Sequence, residues 1–114
     1  MSGGVAAAPF PLLVTICGSM RFAEQMHAVA VEESLAGRIV VLPHVDLAKH
    51  RPAWPEFVRD RYKAELDELH RRKIDMADEI LVVCPGGYVG ESTAAEIAYA
   101  ESLCKPVRRW DPQS

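Results

Sequence analysis

Long apolar runs are missing from this 114-residue chain, and none approaches the roughly 20 residues that a membrane-spanning helix requires. A membrane partner is therefore not expected. An excess of basic charge is missing too. The chain has 13 Lys and Arg against 16 Asp and Glu, a net charge of −3, whereas a groove that neutralises many phosphates carries a basic patch. A nucleic-acid polymer is not an expected ligand either. Cysteine is scarce. Cys17, Cys84 and Cys104 form an odd set whose spacings fit neither a zinc motif nor a redox pair, and they read as buried thiols of a reducing cytoplasm. The opening MSGGVAAAPFP lacks the basic start and sustained apolar core of a secretory signal, so residues 1–11 read as a flexible tail.

What is present is an ordinary globular composition, 49% hydrophobic and 25% charged, enough for one core at this length. LLVTICG (12–18) is a short β-branched run ending in glycine, which predicts a buried strand and a loop. A helix follows, with Phe22, Met26, Val29 and Ala30 on one stripe, Ser19 able to cap its start and Gly37 its end. RIVVLP (38–43) is a second strand. HVDLAKHRPAW carries Pro52, lies between Pro43 and Pro55 and has no periodicity, so it reads as a loop.

The longest helix begins near Pro55 and runs to Asp78, with Phe57, Tyr62, Leu66, Leu69 and Ile74 as its apolar face and its charged runs as a solvated one. EILVVC (79–84) has the continuous apolar character of a central parallel strand. A helix over 93–104 and a last strand over 105–110 complete the pattern. Strands alternating with helices predict an α/β fold, a flavodoxin- or Rossmann-like three-layer sandwich. Its parallel sheet has four strands, or five if residues 44–54 hide another. The domain spans 12–110, followed by a short tail over 111–114.

In such folds a ligand sits beyond the carboxyl ends of the strands. Three loops should meet there: CGSMR, PHVD and PGGYVGEST. In the first, Gly18 permits a sharp turn, Ser19 lies at a helix N-terminus that favours an anion, and Arg21 adds a fork suited to phosphate. The alternative is an ordinary cap beside an exposed arginine. In the second, His44 either meets a ligand or solvates the loop, and Asp46 reads as loop solvation. In the third, Gly86 and Gly87 let backbone approach a ligand, Tyr88 is placed to line a pocket, and Ser92 and Thr93 are cap candidates.

Glu96 carries two readings. Thr93-x-x-Glu96 is a capping-box pattern, in which the carboxylate turns back to the cap N–H. A carboxylate in a first helical turn is also held ionised by the dipole, as attack on an anomeric carbon requires. Asp78 is either a turn residue or a second acid that holds a sugar hydroxyl or moves a proton.

These segments resemble the nucleoside 2-deoxyribosyltransferase superfamily, which includes nucleoside 5′-monophosphate N-glycosidases. CGSMR, ADEILVV and GESTAAEIAYA carry the resemblance, which extends over roughly residues 12–107. It implies Glu96 as nucleophile, Asp78 as the acid that contacts sugar or base, and Ser19 and Arg21 as holders of a 5′-phosphate. Ser92 or Gly90 would touch sugar or phosphate.

Ala98 stands where the family pattern has glycine, and Gly90 stands where the transferases often have an acid. Those departures, with the short chain, favour a hydrolase. PGGYVGESTAAE is also similar to a glycine-rich segment of the cytokinin-activating phosphoribohydrolases, which cleave the same class of bond. The implied ligand is a small nucleotide or nucleoside, with no metal or cofactor, in a homodimer or higher oligomer. The rival expectation is a nucleotide-binding sensor that keeps Ser19, Arg21 and the glycine loop but does not use Glu96.

Overall fold

In the computed structural model of the protein, residues 10–43 and 46–113 are described. Four strands and three long helices alternate: β1 (Leu13–Cys17), α1 (Ala23–Leu35), β2 (Ile39–Val41), α3 (Glu56–Met76), β3 (Glu79–Val83), α4 (Glu91–Ser102) and β4 (Val107–Trp110). A one-turn helix, α2 (Leu47–His50), lies between β2 and α3. The region 44–54 therefore supplies a helical turn and no fifth strand among its described residues. Asp46 starts that turn, its carboxylate accepting from the N–H groups of Ala48 and Lys49, so it is a cap rather than loop solvation.

The sheet is wholly parallel, in the order β2-β1-β3-β4. Its two faces follow the alternation of side chains along the strands. Val14 and Ile16 of β1 and Leu81 and Val83 of β3 face α1, where they meet Met26 and Val29. Cys17, Ile80 and Val82 face the other way, onto Ile74 of α3 and Ile97 and Ala100 of α4. The outcome is the three-layer α/β sandwich that the sequence predicts. Burying each large aliphatic side chain contributes roughly 1.5–3 kcal/mol. No described helix is long and apolar enough to cross a membrane.

Gly37 ends α1 with φ +89°. Arg38 N–H reaches the Glu33 carbonyl and Gly37 N–H that of Ser34, the paired bonds of a Schellman stop. The start of α4 departs from the sequence reading. Gly90 is its N-cap and Glu91 its first residue, two positions ahead of Thr93. Thr93 is a buried residue of the first turn rather than a cap, and Glu96 falls in the second turn.

Two of the three cysteines, Cys17 and Cys84, are buried, but Cys104 is exposed. It follows α4 with φ +58°, at the helix end where a left-handed residue is common.

The far end of α3 is closed by one side chain. Lys105 Nζ donates to the carbonyls of Ile74, Asp75 and Ala77 at 2.9, 2.6 and 2.6 Å. It thereby caps terminal carbonyls that have no helical partner and places its charge at the negative end of the dipole. Lys105→Met is expected to cost about 1–3 kcal/mol, read as a lowered midpoint in urea with an unchanged slope.

Arg108 on β4 pairs with Glu33 of α1 and with Glu79 of β3. Its hydrogen bond holds the Glu33 carboxyl below its ordinary value of 4.5. A depressed carboxyl contributes stability above its unfolded value and loses it as pH falls through the folded one. The protein should therefore lose melting temperature faster than Glu33→Gln between about pH 5 and pH 3, and parallel curves would exclude the effect.

Candidate functional site

The chain leaves β1 toward β2 and leaves β3 toward β4, with α1 and α4 on opposite faces of the sheet. The carboxyl ends of β1 and β3 therefore flank a switch point, where such sheets open a crevice. A cleft of about 380 Å³ lies there. Its wall includes Gly18 and Ser19 after β1, Pro43 and Asp46 after β2, Gly90, Ser92, Thr93 and Glu96 from the start of α4, and Lys63 and Asp67 from α3. The three loops do meet, as the topology requires. An adjoining cavity of about 200 Å³ shares Met20, Asp46 and Lys63 with the cleft and adds apolar Leu47 and Leu66.

Of the residues singled out from the sequence, Gly18, Ser19, Gly90, Ser92 and Glu96 stand together here. Ser19 Oγ accepts from Arg21 N–H at 3.3 Å and caps the short turn Met20–Phe22. Ser92 Oγ accepts from Lys63 Nζ at 3.4 Å, and the same ammonium pairs with Asp67 at 2.9 Å. Gly90 brings no side chain to the cap of α4, so the first-turn N–H groups of that helix need a partner from outside it.

Other expectations are not met by this cleft. Arg21 lies over the Tyr88 ring, 4.1 Å from its centroid, and Phe22 meets the same ring edge-on at 5.9 Å. Neither Arg21 nor Tyr88 lines the cleft. Together they tie the first loop to the third. Gly86 and Gly87 have φ +69° and +78°, so they serve the backbone of the turn. Gly86 N–H donates to Asp111 at 3.0 Å, which also fastens the start of the C-terminal segment. His44 lies outside the described residues.

Asp78 requires a correction. Its carboxylate accepts from Leu13 N–H at 2.7 Å, tying the start of β1 to the start of β3. In a parallel sheet that is the end opposite the cleft. Asp78 is a structural clamp, and the geometry gives it no contact with a ligand at Glu96.

Glu96 does not turn back to the helix cap. It points into the interior, its side chain 14% exposed, with Oε1 3.7 Å from His70 Nε2. His70 Nε2 is in turn 3.4 Å from Cys17 Sγ, and the Cys17 sulfur lies within 4.8 Å of the Glu96 carboxylate. Burial pushes the Glu96 carboxyl up to about 7, and the charge of Asp67 adds to the rise. The neighbouring Cys17 thiol, Lys63 and Arg71 oppose it. This reverses the expectation of a carboxylate held ionised by a first helical turn, because desolvation outweighs the dipole one turn further in. Burial, then the Glu96 charge, drives the Cys17 thiol well above its ordinary value, so Cys17 acts as a neutral donor and not as a nucleophile.

Sequence reasoning missed Cys17, Lys63, Asp67 and His70. The signal was their spacing. Lys63, Asp67, His70 and Ile74 fall at i, i+4, i+7 and i+11, one face of α3. His70 and Ile74 are buried on that face, whereas Phe57, Tyr62 and Leu69, expected to be the apolar face, are 76, 42 and 55% exposed.

The site joins a half-buried carboxyl that titrates near neutrality, a set of helix N–H groups and one lysine. It suits attack on, or proton exchange with, a small polar ligand. Compared with known proteins, the chain matches no family model and no curated protein, so this chemistry rests on the residues themselves.

Proposed function

We propose that the protein is an N-glycosidase that acts on a nucleoside 5′-monophosphate, or a deoxyribosyltransferase-like relative, with Glu96 as its nucleophile. The single observation that carries the reading is the orientation of Glu96. Its carboxyl leaves the helix cap and reaches the switch-point cleft beside Gly18, Ser19, Gly90 and Ser92. A Glu96 oxygen attacks C1′ as the C1′–N bond breaks. The base leaves with that electron pair and takes a proton from solvent. Water then attacks C1′, frees Glu96 and gives the second proton back, for a net consumption of one water. The cleft suits the positive transition state, because Asp46, Asp67, Glu91 and Glu96 outnumber Lys63 on its described wall. The apolar cavity beside it, with Met20, Leu47 and Leu66, is a fitting seat for a base.

A second reading is favoured by one feature. Arg21 is engaged with Tyr88 and does not line the cleft, and the lining is acidic, which favours a nucleoside without the phosphate. Incubation with a panel of nucleosides, 2′-deoxynucleosides and their 5′-monophosphates, with free base resolved by chromatography, separates these cases. Release from the monophosphates supports the first reading and release from nucleosides alone the second. Binding of nucleotides with no release anywhere supports a sensor and overturns both.

A further inference from the structure

The contact between Cys17, His70 and Glu96 has a chemistry of its own. The three side chains come from the end of β1, the middle of α3 and the second turn of α4. Cys17 and His70 are buried, and Glu96 is nearly so. Their Sγ, Nε2 and carboxylate oxygen all lie within 4.8 Å of one another. The sulfur–nitrogen edge is 3.4 Å and the nitrogen–oxygen edge 3.7 Å. A tetrahedral zinc ion, with bonds of about 2.3 Å to sulfur and about 2.0–2.1 Å to nitrogen and oxygen, needs donor edges of about 3.3–3.6 Å. These two edges lie within a few tenths of an ångström of that range, and the third, sulfur to oxygen, is below 4.8 Å, so binding draws the Glu96 carboxylate toward Cys17.

We propose that Cys17, His70 and Glu96 form a three-donor site for a zinc-class divalent cation. One thiolate, one imidazole and one carboxylate are a borderline-soft set that selects zinc or cobalt over magnesium or calcium, which take oxygen ligands. The thiol proton leaves to solvent as the sulfur–metal bond forms. Three protein donors leave a fourth position open. Glu96 borders the main cleft and, with Asp67 and Arg71, a second cavity of about 240 Å³, so the ion has a way in and the fourth position has access to solvent or ligand.

One consequence rests on the glycosidase reading. A bound ion occupies the Glu96 carboxylate and silences it as a nucleophile, so zinc would act as an inhibitor. Binding itself does not depend on that reading, and the two are measured separately.

The test uses the full chain, reduced and metal-free, with zinc and cobalt chlorides alone as probes. The wild type should take up one equivalent of zinc in competition with a chromophoric chelator. With cobalt it should show a thiolate-to-metal charge-transfer absorption and tetrahedral ligand-field bands. Cys17→Ser should lose the charge-transfer absorption, and His70→Ala should bind at least 10-fold more weakly, while Cys104→Ser should behave as the wild type. Zinc should also raise the melting temperature of the wild type and leave that of Glu96→Gln unmoved or raised much less, which covers the case of a Cys17 variant that folds poorly. No uptake by the wild type, or a charge-transfer absorption that persists in Cys17→Ser and vanishes in Cys104→Ser, overturns the site. Uptake without loss of base release upholds the site and removes Glu96 from the chemistry.

Discussion

Glu96→Gln is expected to lower kcat for base release by at least about 10³-fold while the protein stays folded. The amide keeps the size and much of the hydrogen bonding of the carboxylate, so the interior face of α4 survives. What it loses is the anion that the proposed mechanism directs at C1′. The half-buried position makes that anion effective, because few waters have to be stripped from it and its field is weakly screened. A carboxyl pushed up to about 7 by burial is costly to keep ionised, so the substitution should leave stability equal or slightly raised. A capping role makes the opposite forecast, a loss of about 1 kcal/mol in stability with activity intact. On the proposed reading KM should change little, since Gly18, Ser19, Gly90 and Ser92 also line the cleft. Steady-state kinetics by chromatography, with a urea curve on the same sample, measures both quantities.

The second large effect is structural. Gly18→Ala should destabilise the protein by roughly 2–3 kcal/mol and lower its melting temperature by roughly 8–15 °C. A Cβ at Gly18 would meet the Val83 carbonyl oxygen at 2.9 Å and Met26 sulfur at 3.2 Å. The methionine can turn aside. The carbonyl is backbone at the end of β3 and can retreat only if the strand moves. Gly18 therefore serves the close approach of the first loop to β3, which is what narrows the switch point to ligand size. Because the strain falls at the cleft wall, any folded fraction of Gly18→Ala should also bind a nucleotide more weakly. Calorimetry and a nucleotide titration on the same preparation check the two statements together.

The fold was legible because its strands are short apolar runs punctuated by glycine and proline, as at LLVTICG and EILVVC. The end of the first helix was also visible, since Gly37 is the left-handed stop that the pattern asks for, whereas its start was not, because Ser19 caps a separate short turn over Met20–Phe22 and α1 begins at Ala23. The site was legible only in part. The loops converge because topology forces them to, and Gly18, Ser19, Ser92 and Glu96 were found that way, while Gly90 came from the resemblance. The start of α4 was misplaced because its N-cap, Gly90, has no side chain, while Ser92 and Thr93 imitate caps.

The inward face of α3 was misjudged for a related reason. Lys63 and Asp67 of that helix line the cleft and His70 is buried beside Ile74, while Phe57, Tyr62 and Leu69 are exposed, so apolar periodicity found Ile74 and missed the polar side chains of the same face. Asp78 was a partner for Glu96 by the resemblance alone, against a place at the amino end of β3. Strand direction places it at the opposite end, and His70, hidden in a run of charges, stands beside Glu96 instead.

The most direct measurement is peptide mapping by mass spectrometry of the protein quenched in acid during incubation with nucleoside 5′-monophosphates. A glycosyl adduct on the peptide that contains Glu96, absent from Glu96→Gln, is the expected result. An adduct on a different residue, or unimpaired base release by Glu96→Gln, would contradict Glu96 as the nucleophile.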